Sequence, residues 1–187
     1  MILLLYLDES LLLGLGRDRA CYQHPMDKDV CIKVSIKPEK QSKRECKYLS
    51  FLKNKEKSFH YLSDCFGTVQ TNRGLGYMFR LVRDNDGQVA MTLTKSIENG
   101  RIKKEEVKEI LYRLHAYLLK KRICAYDLSP NNLVVYKSDK QKWKVVIVDG
   151  VGTSGLNFFN LRVLLWGREI TRKAWKRLER KVDNLWA

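Results

Sequence analysis

Short apolar runs separated by turn-forming residues fill the first half of the chain. Residues 11–34 predict three strands joined by short turns, and residues 66–69 and 76–82 predict two more. Between these groups, the polar stretch 39–53 carries apolar residues at helical spacing and predicts a helix.

Helical periodicity dominates the second half. Residues 103–122 carry apolar side chains at three- and four-residue steps, with acids early and bases late, which predicts the strongest helix. The members of this apolar stripe are Val107, Ile110, Leu111, Leu114 and Leu118. Two strands at 133–135 and 145–148 follow, and residues 158–187 predict a closing helix.

The order of these elements predicts an α+β chain with a division near the middle. Residues 84–87 are a turn signal, and the apolar run 89–93 after them predicts the second arm of a hairpin. We therefore expect a β-rich part at 1–83 and a mainly helical part at 84–187.

Charge is the feature of the composition that adds most to this picture. Lys and Arg number 36 against 21 Asp and Glu, so the 187-residue chain has a formal charge of +15. This excess predicts an anionic partner, either a nucleotide, a nucleic acid or a membrane surface. A nucleic acid is the least favoured, because aromatic residues are not interleaved with basic ones on a predicted sheet face. The 44% of apolar residues suffices for a packed core, which excludes disorder for most of the chain.

The N-terminus and the cysteines both favour a cytoplasmic protein. The apolar run 1–7 lacks a basic flank and is broken by Asp8 and Glu9, so it predicts a first strand rather than an export signal. The five cysteines are odd in number and contain no Cys-x-x-Cys pair, which argues against a disulfide framework or a zinc site. We expect unpaired thiols in a reducing compartment.

Two features of the first half suit phosphate binding. Gly14 and Gly16 lie between two predicted strands, where glycine lets the backbone approach a phosphate and donate N–H groups to it. Lys33 lies within the apolar run 30–34 and must either leave the sheet or neutralise an anion. The alternatives are an ordinary hairpin turn and a surface lysine on an edge strand.

Two features of the second half suit proton transfer and metal binding. Asp127 and Asn132 lie five residues apart around a proline turn, where Asp127 would accept a hydroxyl proton and Asn132 would hold a metal. Asp149 ends an apolar strand just before Gly150 and is a suitable ligand for a hard cation. The alternatives are turn and cap roles, because these residue types are all turn formers.

Together, over about 135 residues, these features resemble the protein-kinase signature set. That set is a glycine loop, Val-Ala-Ile-Lys, His-Arg-Asp-Leu-x-x-x-Asn and Asp-Phe-Gly, in this order. The matching residues here are Gly14 and Gly16, Val30 to Lys33, Asp127 to Asn132, and Asp149 with Gly150. The opening Gly-x-Gly-Arg-x-Arg-x-Cys-Tyr-x-His-Pro, with the Cys-Ile-Lys and Arg-Glu-x-Lys-Tyr segments, also resembles the small YrbL-type proteins of the PhoP regulatory network.

The kinase resemblance implies a fold and a function. The fold is a small two-lobed protein-kinase-like one, with a β-rich N-lobe at 1–83 and a truncated, mainly helical C-lobe at 84–187. The function is binding of Mg-ATP and transfer of its γ-phosphate to a hydroxyl acceptor, which is a small molecule, a sugar or lipopolysaccharide precursor, or a protein. The alternative is a non-catalytic nucleotide-binding pseudokinase or regulatory adaptor of the PhoP network.

The same resemblance implies a role for each site residue. Lys33 contacts the nucleotide phosphates while Glu45 holds it, and Asp127 orients or deprotonates the acceptor hydroxyl. The implied cofactor-binding residues are Gly14, Gly16, Lys33 and Glu45; the metal ligands are Asn132 and Asp149; the catalytic residues are Lys33 and Asp127. The backbone of residues 76–81 would lie near the adenine.

Three positions depart from the kinase pattern. Arg19 stands where a third loop glycine is usual, so the phosphate cover is stiffer or uses the guanidinium itself. Tyr126 replaces the arginine that would bind a phosphorylated activation loop, and Gly150 replaces the phenylalanine of Asp-Phe-Gly. Few residues follow Asp149, so we expect a truncated C-lobe.

The C-terminal segment 161–187 is strongly basic, with eight Lys and Arg against three Asp and Glu. One interpretation is a closing helix with a solvated basic side. The other is contact with anionic lipid or a lipopolysaccharide precursor at the inner membrane, which would make the protein peripheral there.

Overall fold

The structure is a computed structural model that describes residues 4–36, 41–55, 59–152 and 159–186, with the side chains of the last helix from residue 166 onward. Its first half is a six-stranded sheet in the order β1-β5-β6-β4-β3-β2. The strands are β1 (Leu4–Leu5), β2 (Leu12–Leu15), β3 (Arg19–Gln23), β4 (Val30–Ser35), β5 (Cys65–Thr71) and β6 (Gly74–Arg80). β1 pairs with β5 in parallel, and the other neighbouring strands are antiparallel.

Among the described residues of the first half there is one α-helix, α1 (Gln41–Asn54), which follows β4 in the chain. It buries Tyr48, Leu49 and Leu52 in the same core cluster as residues of the second half. The Tyr48 hydroxyl accepts a hydrogen bond of 2.7 Å from the backbone N–H of Cys124, in a buried position. α1 therefore ties the six-stranded sheet to the rest of the molecule.

In the part of the second half that the structure describes, a three-stranded sheet is combined with three α-helices. The sheet has the order β7-β8-β9. Its strands are β7 (Met91–Thr92), β8 (Leu133–Lys137) and β9 (Trp143–Ile147), and the helices are α2 (Leu93–Glu98), α3 (Lys104–Lys120) and α4 (Phe159–Asp183). The chain is thus α+β, as predicted.

α3 forms where the apolar periodicity predicts it. Each of the five residues of the predicted stripe is buried. At its N-terminus, the Glu106 carboxylate accepts a 2.8 Å hydrogen bond from the Lys103 backbone N–H, which satisfies a donor that the helix leaves unpaired. Glu105 and Glu106 in the first turn and Lys120 in the last also suit the helix dipole.

The region after the turn at 84–87 differs from the prediction. An isolated antiparallel bridge joins Arg83 to Val89, so the predicted hairpin is reduced to this single bridge. The strand then ends at Thr92, whose hydroxyl accepts a 3.3 Å hydrogen bond from the Lys95 N–H and caps α2. The prediction of a strand through residue 93 is therefore wrong at its end, because a threonine cap begins a helix there.

The cysteine prediction is wrong for two of the five thiols. Cys46 on α1 and Cys65 on β5 form a disulfide, with Cα atoms 5.4 Å apart. Cys21, Cys31 and Cys124 are unpaired, as expected. Spacing along the sequence could not indicate the pair, because it depends on how α1 packs against β5.

α4 closes the second half with its apolar side inward. Ala174, Leu178 and Val182 are buried, whereas the Lys and Arg side chains described in this helix are exposed. Within the described residues, no helix combines the length and the apolar character that crossing a bilayer requires.

Candidate functional site

A cleft of about 670 Å³ between the two halves collects the predicted site residues. Its walls come from the β2–β3 hairpin, from β4 and from the loops that precede β8 and follow β9. The predicted residues that line it are Gly14, Gly16, Lys33, Asp127, Asn132 and Asp149. Glu45, the remaining one, lies behind Lys33.

Lys33 is buried in the middle of β4 and points into the cleft. Its ammonium group donates a 2.6 Å hydrogen bond to the carbonyl of Val148 and lies 4.1 Å from the centre of the Phe79 ring. Burial lowers the pKa of Lys33, but the charges of Glu45 and Asp149 outweigh it, so the net shift is upward. Lys33 is therefore a fixed positive charge.

Glu45 reaches Lys33 from α1. Its Oε2 lies 3.6 Å from Lys33 Nζ and 3.7 Å from an Arg19 nitrogen. Among the described residues, Oε2 has no hydrogen-bond partner. Burial raises the pKa of Glu45 to about 7, although Lys33 and Arg19 oppose the shift. A carboxylate between two cations holds both in place.

Asp149 faces Lys33 from the end of β9. Its Oδ1 accepts hydrogen bonds from the Gly150 N–H at 2.7 Å and from the Gln41 side chain at 3.0 Å. Its Oδ2 forms an ion pair with Arg19. Burial raises the pKa of Asp149, but Lys33, Arg19 and these hydrogen bonds outweigh it, so the pKa lies below its usual value.

Gly150 brings the Asp127 segment against the Asp149 segment. Its carbonyl accepts hydrogen bonds from the N–H groups of Tyr126 and Asp127, at 3.0 and 3.2 Å. Its φ is +88°, and a Cβ atom here would overlap the carbonyl oxygen of Asp127. Glycine is therefore required by this close approach, which explains the departure from Asp-Phe-Gly.

Asn132 fixes Asp127 in the mouth of the cleft. Its side-chain nitrogen donates to the backbone carbonyl of Asp127 at 3.0 Å and to its carboxylate at 3.3 Å. Because the amide nitrogen is used in this way, the amide oxygen is left as the group that would bind a metal.

The glycine hairpin covers the cleft from the other side. β2 and β3 are joined through a turn in which the Gly16 N–H donates a 2.8 Å hydrogen bond to the Arg19 carbonyl. The stretch 13–16 is exposed apart from its contacts in the cleft. Glycine at 14 leaves open space where a side chain would stand.

Arg19 is the site residue whose contacts the sequence did not predict. Besides its ion pair with Asp149, its side chain donates a 3.0 Å hydrogen bond to the Ser42 hydroxyl on α1. The missing third glycine indicated that a guanidinium was nearby, but not that it joins Asp149 to α1. Nothing in the sequence indicates that Gln41 contacts Asp149.

The donor set suits a hard cation only in combination with a ligand. Among the described residues, no three His, Cys, Asp or Glu side chains gather as a metal site. Asp149 and Asn132 supply two oxygen-donor groups, and Mg²⁺ in proteins often takes one or two such ligands with substrate phosphates completing the set. The residues therefore fit a nucleotide-bound Mg²⁺, provided that Arg19 releases one oxygen of Asp149.

A second cavity of similar size, about 680 Å³, lies between α3 and α4 and contains none of the predicted residues. The segment 76–81, predicted near an adenine, reaches the first cleft only with Arg80 and Leu81.

Comparison with known proteins shows which family the chain belongs to. A family model described as PhoP regulatory network protein YrbL matches residues 5–186. The chain belongs to this family. Its relatives include the YrbL proteins of Escherichia coli strain K12 and of Shigella flexneri, each 31% identical over 186 residues, which cover 96% of this chain and 83% of theirs. The family membership thus spans both halves and every predicted site residue.

Proposed function

We propose that this YrbL family member binds Mg-ATP in the cleft and transfers the γ-phosphate to a hydroxyl acceptor. The observation that carries the proposal is the convergence of Lys33, Glu45, Asp127, Asn132 and Asp149, which are spread over more than a hundred residues of sequence. Turn formers and surface lysines have no physical reason to meet in one cleft.

Positioning and charge neutralisation would supply most of the catalysis. A triphosphate carries several negative charges, and a unit pair 4 Å apart contributes about 4 kcal/mol at an effective dielectric of 20. Lys33 is buried and held between Glu45 and the Val148 carbonyl, so it meets a phosphate without rearranging. Mg²⁺ held by Asp149 and Asn132 would neutralise charge on the phosphates.

Asp127 would act on the acceptor. Its carboxylate is exposed at the cleft and oriented by the Asn132 side chain, so a hydroxyl entering from solvent can reach it. A carboxylate in this position aligns the hydroxyl and accepts its proton as the phosphorus–oxygen bond forms. The acceptor is a small molecule, a sugar or lipopolysaccharide precursor, or a protein hydroxyl.

A protein-kinase-like bilobal arrangement is part of the proposal. Its support is that the six-stranded sheet with α1 uses residues 4–80, whereas the three-stranded sheet and α2–α4 use residues from 91 onward. The proposed boundary at 83/84 falls between these two sets.

One observation favours the second candidate, a non-catalytic nucleotide-binding adaptor of the PhoP network. Arg19 pairs with Asp149, so a cation of the protein already neutralises the proposed metal ligand. An adaptor of this kind would bind nucleotide without using Asp127.

Titration calorimetry with Mg-ATP, followed by phosphate-release assays, tests the function. We expect Lys33→Met and Asp149→Asn to weaken binding about tenfold or more, and Asp127→Asn to leave binding intact while abolishing turnover. Lys140→Met and Asp139→Asn, in the exposed turn between β8 and β9, are matched controls. Binding without any Asp127-dependent turnover would favour the adaptor, and an absence of binding would overturn both candidates.

A further inference from the structure

Two cysteines face the cleft from neighbouring strands. Cys21 on β3 lies opposite Lys33 in the register, and Cys31 on β4 lies opposite Gln23, so the two thiols are diagonal neighbours. Both line the cleft, and this register places their side chains next to each other on one face of the sheet. Cys21 is partly exposed, whereas Cys31 is buried.

The surroundings of Cys21 favour its thiolate. The hydrogen bond from Cys31 lowers the pKa of Cys21 most, and the charges of Lys33 and Arg19 add to it. Burial and Asp149 act in the opposite direction but do not cancel these contributions. The same hydrogen bond and burial raise the pKa of Cys31, which therefore stays protonated as the donor.

Cys124 provides an internal contrast. It is fully buried, its thiol donates a 2.9 Å hydrogen bond to the Gly152 carbonyl, and burial raises its pKa to about 12. Cys46 and Cys65 are joined in a disulfide. Cys21 is thus the thiol that combines access from the cleft, neighbouring cations and a hydrogen-bond donor.

We propose that Cys21 is a covalent modification site for small disulfides such as glutathione disulfide, with Cys31 as its positioning residue. The Cys21 thiolate attacks one sulfur of the disulfide, a Cys21–sulfur bond forms, and the other half leaves as a thiolate. The incoming disulfide is the oxidant, so the step needs no other. The bulky adduct then fills the cleft beside Lys33; that this blocks nucleotide binding rests on the proposed function.

Reaction of the folded, unreduced protein with the chromogenic disulfide dithiobis(nitrobenzoate) tests the site. We expect a fast phase of chromophore release that Cys21→Ser abolishes and that the matched control Cys124→Ser leaves unchanged. Peptide mapping of the adduct should place it on Cys21. A fast phase that survives Cys21→Ser would overturn the proposal.

The pH dependence tests the part assigned to Cys31. Removing the donor in Cys31→Ala should move the rate–pH profile of Cys21 to higher pH, whereas a merely structural role would leave the profile in place. Three charged groups near Cys21 also contribute to its rate–pH profile, namely Lys33, Arg19 and Asp149. An unchanged profile would contradict the role of Cys31.

Labelling of Cys21 in the presence and absence of Mg-ATP separates this proposal from the proposed function. Mg-ATP that binds by calorimetry should slow labelling of Cys21; binding without protection would refute the claim that the adduct blocks the site. If no nucleotide binds but Cys21 still reacts selectively, the modification site stands and the proposed function fails. If nucleotide binds but Cys21 reacts no faster than Cys124, the proposed function stands and the modification site fails.

Discussion

Gly150 joins the two segments that carry the acidic site residues, and its conformation leaves no room for a side chain. Gly100 also has a positive φ, but a Cβ atom at Gly100 would meet open space. At Gly150 a Cβ atom would lie 2.9 Å from the Asp127 carbonyl carbon, so either Asp127 or Asp149 would have to move.

We therefore predict that Gly150→Ala abolishes nucleotide binding and destabilises the fold more than Gly100→Ala does. The control should cost about 1–2 kcal/mol through its left-handed backbone alone, with binding retained. Urea unfolding and calorimetry measure the two effects. Equal losses in both variants would show that strain, rather than contact with Asp127, limits position 150.

Glu45 makes a contribution to the free energy of unfolding that depends on pH. Burial raises its pKa to about 7 in the folded state, from an ordinary value of 4.5. Between these values the folded state holds a proton that the unfolded state has lost. The free energy of unfolding therefore falls as the pH rises from about 4.5 to 7, by about 3 kcal/mol at most, and is level above that range.

We predict that Glu45→Gln removes most of this slope. Urea unfolding between pH 5 and 8 measures it, and Glu98→Gln, an exposed position on α2, is the control that should keep it. A slope that is the same in Glu45→Gln and the parent would mean that Glu45 stays ionised in the folded protein.

The resemblance to the protein-kinase signature set predicted that Lys33, Asp127 and Asp149 would meet in one cleft, but not how they would be held. The Arg19–Asp149 pair could not be predicted, since the two residues lie 130 positions apart in the sequence and meet only because the β2–β3 hairpin folds over the cleft. The assigned roles remain predictions.

At the scale of elements, α1 is the link between the halves. Tyr48 is fully buried, and its hydroxyl accepts the N–H of Cys124, three residues before Asp127. The Gln41 side chain, on the same helix, donates a 3.0 Å hydrogen bond to Asp149. α1 therefore positions Lys33, through Glu45, and also the segments that carry Asp127 and Asp149.

Tyr48→Phe should leave the Cys124 N–H buried without a partner. We predict a loss of about 1–3 kcal/mol in the free energy of unfolding, measured by urea denaturation. Tyr112→Phe, at a position on α3 that is 77% exposed, should change stability by less than about 0.5 kcal/mol. If the two variants lost equal stability, the Tyr48 hydrogen bond would not be the link.

Elements with a long repeating pattern were predictable, and short ones were not. α3 repeats its apolar stripe over five positions, so the sequence determines its extent. α2 has six residues, too few for a periodic signal, and its start depends on the Thr92 cap. The disulfide escaped prediction because packing of α1 on β5, rather than spacing, brings its cysteines together.

For the whole molecule, the basic residues of α4 are separate from the cleft, because none of the residues that line the cleft belongs to the described part of this helix. The apolar residues Ala174, Leu178 and Val182 of α4 are buried against the core, whereas Trp166, where the described side chains of this helix begin, is 60% exposed. Contact with an anionic membrane surface at the cytoplasmic face, which we propose for this helix, would rest mainly on its exposed cations. Such attraction weakens within a Debye length as salt rises.

We predict that the protein binds vesicles containing anionic lipid at low salt and dissociates as the salt concentration increases. Charge reversal at Lys173 and Lys181 should weaken binding more than the same reversal at Lys140 and Lys142, which gives an equal net charge. Vesicle sedimentation measures both. Equal weakening would assign the attraction to net charge instead of α4.

The central claim is that the two halves form one nucleotide site, and a crystal structure with Mg²⁺ and a non-hydrolysable ATP analogue tests it most directly. We predict the triphosphate between Lys33 and Asp149 beneath Gly14 and Gly16, with Arg19 displaced from Asp149. A nucleotide bound instead between α3 and α4, with Arg19 still paired to Asp149, would contradict the account.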